Sequence, residues 1–261
     1  MMLYKHMHFK SPCLVTLLLV VLVLTGCSHS SLSKGSNSSF SQQQSNDRLE
    51  RFNRHVYKFN ASLDKHILKP IAVTYKKVTP EVVDTGVTNF FQNLGDISNA
   101  VNNLLQFKAG DALIDTERFI FNTSFGLGGI FDVATEMGLD KHNEDFGQTL
   151  AVWGVKSGPY VMLPILGPST IRDATANLTV DNILNPVNYS EHPLPLIVIS
   201  GIDKRTDLLL AEDAFKDFSN EEYSAIRDAW LQRREYLIRD GKIDQKAQSD
   251  LIDELEELED E

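Results

Sequence analysis

The chain has 261 residues, of which 42% are hydrophobic and 23% charged, and its formal net charge is −11. So acidic a chain is a poor candidate for binding nucleic acid, because that affinity depends on neutralising phosphates with Lys and Arg. It is also a poor candidate for electrostatic attachment to anionic lipid, so any contact with lipid is expected to be mainly hydrophobic.

The first 26 residues predict a lipoprotein signal peptide. Two lysines precede an apolar run from Leu14 to Leu24, which is too short to span a bilayer. The run leads into Leu24-Thr25-Gly26-Cys27, which resembles a bacterial lipobox, so Cys27 is predicted to carry acyl chains after cleavage. Ser28 follows in place of the aspartate of an inner-membrane retention signal, so the resemblance indicates the outer membrane. Cleavage would lower the net charge from −11 to −13 and leave no free thiol, hence no disulfide and no thiolate metal site.

Composition divides the remaining chain into three segments. Residues 27–46 are rich in Ser, Gln and Asn and are predicted to form a flexible lipidated tether. Residues 47–240 are predicted to form one all-α domain, because apolar residues recur at helical spacing and strand alternation is scarce. Residues 241–261 are predicted to be an acidic C-terminal tail.

Local signals predict where several helices begin and end. The signals are an Asp47–Glu50 capping box, an end or bend at Lys69-Pro70, a helix start at Pro80, a break at Gly95-Asp96, an N-cap at Ser169, a helical segment Leu208–Phe218 and a second capping box at Ser219–Glu222.

Residues 122–168 combine many glycines and prolines with large apolar residues. Glycines permit positive φ angles and prolines fix turns, so this stretch is not one packed helix. It is either a hairpin or loop system that presents apolar side chains to a cavity, or an irregular segment of the core.

Several motifs in one order resemble the MlaA (VacJ) lipoprotein family. They cover residues 47–175 densely, and the strongest is Glu144-Asp145-Phe146-Gly147-Gln148-Thr149-Leu150. Arg51 and Asp84 depart from the family pattern, and the C-terminal third matches poorly. The other motifs are Leu49-Glu50-Arg51-Phe52-Asn53-Arg54, Phe59-Asn60, Leu63-Asp64, Val87-Thr88-Asn89-Phe90-Phe91-Gln92-Asn93-Leu94, Asn102-Asn103-Leu104-Leu105-Gln106, Arg118-Phe119-Ile120-Phe121-Asn122-Thr123, Gly126-Leu127-Gly128-Gly129-Ile130-Phe131-Asp132-Val133-Ala134, Trp153-Gly154, Gly158-Pro159-Tyr160, Leu163-Pro164, Gly167-Pro168-Ser169 and Ile171-Arg172-Asp173.

The resemblance implies an all-α ring of amphipathic helices lying in one membrane leaflet, with a Gly/Pro-rich hairpin lining a central amphipathic channel. It implies that phospholipids misplaced in the outer leaflet pass through the channel to a periplasmic carrier, beside a trimeric porin and without ATP. A hairpin near residues 122–146 is the candidate movable wall, and Phe59 and Asn60 are predicted to face it. The candidate channel or gate residues are Phe59, Asn60, Phe125, Leu127, Gly128, Gly129, Ile130 and Phe131. The candidate structural residues are Asn53, Asn89, Phe90, Asp145, Gly147, Gln148, Gly158, Pro159, Tyr160, Gly167, Pro168, Arg172 and Asp173.

Two alternatives remain open on the sequence. A phospholipase or cell-wall hydrolase would use Glu144 and Asp145 with His142 nearby, yet no nucleophile elbow, zinc motif or Walker loop is present. A porin-bracing lipoprotein would need no movable apolar lining. The sequence predicts no catalysis, no metal and no cofactor besides the transported phospholipid and the acyl chains.

Overall fold

The computed structural model describes residues 47–216 and 222–242. For residues 210–216 it describes the backbone only. Cys27, the predicted tether, the acidic tail and Ser219 lie outside these ranges. The elements are α1 (Glu50–Leu63), a π-helical turn (Asp64–Leu68), α2 (Lys69–Val78), α3 (Glu81–Leu105), α4 (Ala109–Ser124), α5 (Val133–Glu136), α6 (Phe146–Val152), β1 (Tyr160–Leu163), β2 (Gly167–Thr170), α7 (Ile171–Ala176), a π-helical turn (Asn177–Asp181), α8 (Asn182–Leu184), a 3-10 turn (Pro186–Tyr189), α9 (Pro193–Lys216) and α10 (Glu222–Ile238).

Helices dominate the described chain, so the predicted all-α class is confirmed. The described residues contain one small sheet, in which β1 and β2 pair antiparallel from Tyr160 opposite Thr170 to Leu163 opposite Gly167. Helices α3 and α4 pack along each other in an antiparallel pair. The tight turn between them places Phe107 at a φ of 63°.

The predicted capping box at the start of α1 is wrong. Leu49 is the N-cap residue and its side chain makes no capping hydrogen bond. The Asp47 carboxylate instead accepts hydrogen bonds from Asn53 at 2.8 Å, from Arg227 at 3.4 Å and from the Tyr223 hydroxyl. Because α10 supplies two of these donors, a long-range contact takes the place of the local cap.

The predicted break at Gly95-Asp96 is also wrong, since α3 runs without interruption for 25 residues. Asp96 is fully buried and ion-paired, so packing overrides its weak helix propensity. Proline likewise fails to end the helix at Lys69-Pro70. A π-helical turn precedes Pro70, which then occupies the first turn of α2, where its missing N–H is tolerated.

Two other predicted boundaries move. Thr170, and not Ser169, caps α7, because its hydroxyl accepts a hydrogen bond from the Asp173 N–H while Ser169 belongs to β2. The helix predicted over Leu208–Phe218 begins earlier, at Pro193. Pro80 is the N-cap residue of α3, next to its predicted place in the first turn.

A small apolar core joins α1, the hairpin and α10. Val56, Tyr160, Met162 and Tyr223 are buried together, and the Tyr160 ring lies edge-on to Tyr223 at a centroid distance of 6.4 Å. This cluster therefore anchors the β-hairpin between the first and last described helices. None of the described helices is both long and apolar enough to cross a bilayer.

Candidate functional site

The described domain buries polar groups and exposes apolar ones. Arg118, Asp96 and Asn102 are at most 1% exposed, whereas Phe107 is 89% exposed. Buried polar and charged residues outnumber buried apolar residues among the described side chains. Soluble domains show the opposite distribution, so an apolar environment around the domain is the arrangement that would satisfy this surface.

An apolar turn, residues 125–131, connects α4 to α5. Phe125 is 71% exposed and Leu127 is 70% exposed, while Ile130 and Phe131 are about half exposed. Gly128 and Gly129 have φ angles of 73° and 94°, which glycine adopts without strain. The sequence predicted a hairpin or loop system at this place, and the structure has a series of tight turns without strand pairing over residues 125–131.

Polar side chains, called the polar base below and consisting of Arg118, Asn122 and Asp132, fix the end of the apolar turn. Asp132, at its end, accepts two hydrogen bonds from the Arg118 guanidinium, at 3.0 and 2.9 Å, and one from Asn122 at 3.0 Å. It also caps α5 by accepting the Thr135 N–H. Burial by itself raises the pKa of Asp132, but hydrogen bonds from Thr135, Asn122 and Arg118 outweigh it and lower the pKa to about 2.

The apolar turn also rests on α3. The Asn89 amide donates to the Ile130 carbonyl at 3.1 Å, and Gly129 lies so close to Asn93 that a Cβ would overlap that side chain. The Phe90 ring makes an edge contact with the Phe91 ring, with an interplanar angle of 74°. Candidate residues from the two segments are therefore brought together by hydrogen bonds to the backbone of the turn.

Buried ion pairs continue beneath the turn along α3 and α4. Lys141 contacts Asp96 at 2.8 Å, and the Arg118 Nε lies 3.6 Å from the other oxygen of this carboxylate. Burial raises the pKa of Asp96, although both cations oppose the rise. Asp115, also fully buried, accepts from Asn103 at 2.7 Å and lies 2.9 Å from His142 Nδ1.

Two asparagines of α1 bind the β-hairpin. Asn53 donates to the Tyr160 carbonyl at 3.2 Å and accepts the Met162 N–H at 2.8 Å. Asn60 donates to the Leu163 carbonyl at 2.9 Å and accepts the Ile165 N–H at 2.8 Å. A side-chain amide carries both N–H donors and a carbonyl acceptor, so it can pair with a free C=O and a free N–H of an edge strand at once.

The Asn60 contacts correct one prediction. Asn60 was expected to face residues 122–146, but it holds the tip of the β-hairpin at residues 163–165. Ile165 at this tip has a φ of 69° and is 69% exposed, a strained position for a β-branched residue. Phe59, the neighbouring candidate, is 53% exposed on α1. A channel or gate role for either residue stays a prediction.

The remaining glycine and proline candidates shape the ends of the hairpin. Gly158 has a φ of 69° before β1, and the Pro159 carbonyl accepts the Ile171 N–H at 3.1 Å. Gly167 has a φ of 84° and begins β2, where Pro168 pairs with Met162.

Arg234 of α10 binds the acidic residues of two of the motifs, Asp145 and Asp173, and sequence reasoning missed it. Its guanidinium contacts Asp145 at 2.5 and 2.7 Å and Asp173 at 2.8 Å. A Cβ at Gly147 would lie 2.5 Å from Arg234 Nη2, so a larger residue at this position would displace the ion pair. Burial raises the pKa of Asp173, but hydrogen bonds and charge from Arg234 and a hydrogen bond from Arg172 lower it overall.

The other motif residues bind loop backbone. Asp145 caps α6 by accepting the Gln148 N–H at 2.9 Å, and Gln148 Nε2 donates to the Asn143 carbonyl at 2.8 Å. Arg172 donates to the Val155 carbonyl at 3.3 Å. These are the contacts that the predicted structural role requires.

The residues proposed for a hydrolase do not converge on one another. Glu144 accepts from Gln106 at 2.7 Å and Lys108 at 3.2 Å, whereas Asp145 binds Arg234 and His142 binds Asp115. Among the residues that the structure describes, no His, Cys, Asp and Glu side chains are grouped so that they could hold a metal ion.

Comparison with known proteins decides the family. The family model described as MlaA lipoprotein matches residues 45–237. This chain belongs to the MlaA lipoprotein family. An MlaA relative, the intermembrane phospholipid transport system lipoprotein of Escherichia coli, is 31% identical over 85% of this chain and 86% of its own.

Other relatives agree with this family. The intermembrane phospholipid transport system lipoprotein MlaA of Haemophilus influenzae is 29% identical over 95% of this chain and 99% of its own. An uncharacterised protein of Rickettsia felis is 39% identical over 74% of this chain and 78% of its own. A solved structure concerned with the maintenance of bacterial outer membrane lipid asymmetry has a TM-score of 0.66 and 33% identity, covering 74% of this chain and 98% of that one.

Proposed function

We propose that this protein maintains the lipid asymmetry of the outer membrane by removing misplaced phospholipids from the outer leaflet. The observation that carries the proposal is the distribution of polarity, with an interior of buried Asn, Asp and Arg and an exterior of exposed apolar residues. Phospholipid has a charged head and apolar tails, so a path for it needs both kinds of surface close together. The names of the MlaA relatives, which refer to intermembrane phospholipid transport, support the same function.

The apolar turn, residues 125–131, is our candidate for the part of the path that meets the acyl chains. Its exposed side chains immediately precede Asp132, which binds Arg118, so apolar and charged groups lie within one short segment of the chain. Hydrogen bonds to the backbone of the turn hold it in place without covering Phe125 or Leu127.

The place of action proposed is the inner leaflet of the outer membrane, with acyl chains on Cys27 as the anchor. Each buried methylene contributes about 0.8 kcal/mol, so two or more chains anchor stably without a spanning helix. The ring of helices around an amphipathic channel, which the family resemblance implies, belongs to this proposal.

The partners proposed are membrane phospholipid, a trimeric outer-membrane porin and a periplasmic phospholipid carrier of the same transport system. Passage through the protein would be passive, and the carrier would give it a retrograde direction by taking up lipid. No enzymatic step and no nucleic acid takes part in this proposal.

The test is the phospholipid content of the outer leaflet in cells that lack the gene, compared with complemented cells. We expect raised surface phospholipid that complementation reverses. Complementation with Phe125→Ser should fail, whereas Val78→Ser, a matched change at a residue 70% exposed on α2, should succeed. An unaltered leaflet in the deletion strain would refute transport, and a porin-bracing role would then explain the protein better.

A further inference from the structure

The exposed side of α1 and of the π-helical turn that follows it carries a row of basic residues. Arg51, Lys58 and Lys65, called the basic stripe below, are all exposed, and His55 is exposed between them. At about 100° per residue the three positions on α1, Arg51, His55 and Lys58, fall within an arc of about 60° around the helix axis, and Lys65 follows in the π-helical turn. The buried Asn53 and Val56, the latter in the apolar core, point to the opposite side.

The basic stripe has no acidic partner in the part of the chain that the structure describes. The two acidic residues of this region are occupied elsewhere: Glu50 pairs with Arg54 at 2.8 Å, and Asp64 pairs with Arg205 at 2.6 Å. An anionic partner outside the described residues would complement these exposed positive charges.

The charge of this segment contrasts with that of the whole protein. Residues 48–77 contain eight Lys and Arg against two acidic residues, a net +6, while the full chain carries −11, so the rest carries −17. The overall charge, which predicted no attraction to anionic lipid, therefore conceals a local basic surface on α1 and α2.

Two exposed aromatic residues border the basic stripe. Phe52 is 51% exposed and Phe59 is 53% exposed, and both lie about 80–100° around the axis from Arg51. Exposed basic side chains beside exposed aromatic ones are the arrangement of helices that lie at a membrane surface, with cations at the phosphates and rings among the acyl chains. Every phospholipid headgroup carries a phosphate, but a zwitterionic one also carries a cation that repels the stripe, whereas an anionic headgroup has a net negative charge that complements it.

We propose that the basic stripe, Arg51, Lys58 and Lys65, binds the phosphate groups of anionic phospholipid, with Phe52 and Phe59 inserted beside the headgroups. The inference deepens the proposed function, because it assigns a headgroup preference to one face of the same lipid-handling domain. An acidic protein segment, such as residues 249–261 of this chain, is the competing occupant.

The test uses the full acylated protein in detergent micelles, titrated with phosphatidylglycerol or phosphatidylcholine and examined by native mass spectrometry. We expect phosphatidylglycerol to bind more tightly, and Arg51→Gln/Lys58→Gln/Lys65→Gln to weaken its binding while sparing phosphatidylcholine. A basic residue near anionic lipid contributes about 1 kcal/mol, or about fivefold in the dissociation constant, so the triple change should cost up to about a hundredfold.

A matched control removes three exposed basic residues from other elements: Lys156→Gln/Lys204→Gln/Arg233→Gln has the same net charge. Lipid binding of this control should equal that of the unaltered protein. Equal losses in both triple variants, or no preference for phosphatidylglycerol, would overturn the proposal. So would carbodiimide cross-links from Lys58 or Lys65 to residues 249–261 together with unaltered lipid binding in the stripe variant.

This outcome is separable from that of the proposed function. If complementation restores leaflet asymmetry but the protein shows no preference for phosphatidylglycerol, transport is supported and lipid binding by the basic stripe is refuted. If the protein binds phosphatidylglycerol tightly but its deletion leaves the leaflet unaltered, lipid binding by the basic stripe is supported and transport is refuted.

Discussion

Replacing Gly126 by Ala should disrupt the apolar turn more than replacing Gly128 by Ala. A Cβ at this position would lie 2.5 Å from the Asn122 carbonyl oxygen and still closer to that of Phe131. Both obstacles are backbone atoms, so neither can rotate away. The Asn122 oxygen also accepts the Gly129 N–H at 2.9 Å, so any displacement weakens the closing hydrogen bond of the turn.

The magnitude follows from these two effects. Forcing a methyl group into a filled space costs about 1–3 kcal/mol, and a disturbed hydrogen bond costs about 1 kcal/mol. We therefore expect Gly126→Ala to lower the free energy of unfolding by about 2–4 kcal/mol. Gly128→Ala, with a φ of 73° but open space, should cost only about 1 kcal/mol. Gly95→Ala, within α3 and also in open space, should stabilise by about 0.5–1 kcal/mol.

The assay is denaturant unfolding of the three variants in the same detergent, followed by circular dichroism, with limited proteolysis to locate the opening. Gly126→Ala should expose residues 125–131 to protease before the helices unfold. Equal stability of the Gly126 and Gly128 variants would refute the reasoning, because the cost would then arise from glycine's conformational freedom alone and not from the two carbonyl oxygens.

Four other outcomes are expected. Asp132→Asn should cost about 2 kcal/mol at neutral pH by unfolding measurements. The pKa of Asp132 is lowered from an ordinary 3.8 to about 2, so its ionised carboxylate stabilises the fold above pH 4 and ceases to do so as the pH falls to 2. The free energies of unfolding of the variant and the unaltered protein should therefore converge near pH 2, and a difference that stays constant with pH would contradict this. Asn60→Asp keeps the acceptor for Ile165 but loses the donor, so amide exchange should accelerate at the hairpin tip while that in α3 stays unchanged. Arg234→Lys should lower the melting temperature, because lysine cannot make the bidentate contact that the guanidinium makes with its carboxylates. Arg239→Lys, at an exposed ion pair, is the control, and equal melting temperatures of the two variants would count against a central role of Arg234. Cys27→Ala should leave the protein outside the outer-membrane fraction, and normal fractionation would show that acylation is dispensable.

The sequence predicted the helical class and misjudged which faces of the helices are buried. On α3 the apolar residues Val83, Val87, Phe90 (or Phe91) and Leu94 recur at helical spacing, yet Val83 is 52% exposed. The buried face consists of polar residues, among them Asn93, Asp96, Asn99 and Asn103. Their recurrence every three or four residues was visible in the sequence, and asparagine is a weak helix former, so a buried polar face was the available signal.

Contacts distant in sequence account for the other errors. Asp47 binds donors on α10 in place of forming the predicted capping box. Asn60 binds the hairpin 103 residues away, because its amide fits the free backbone groups there. Arg234 went unnoticed because the motifs that carried the resemblance end near residue 175, although the family model matches to residue 237. Each of these contacts depends on chain closure over long distances, which spacing within one helix does not report.

The sequence by itself determined the helical class, the family and the glycine-punctuated middle, because periodicity, ordered motifs and backbone freedom are local properties. Only the tertiary structure decided that polar groups fill the interior, that Arg118, Asn122 and Asp132 form the base of the apolar turn, and that the hairpin lies at residues 160–170. The physical reason is that a buried charge must find its partners wherever the fold places them, whereas a helix needs only its own neighbouring residues.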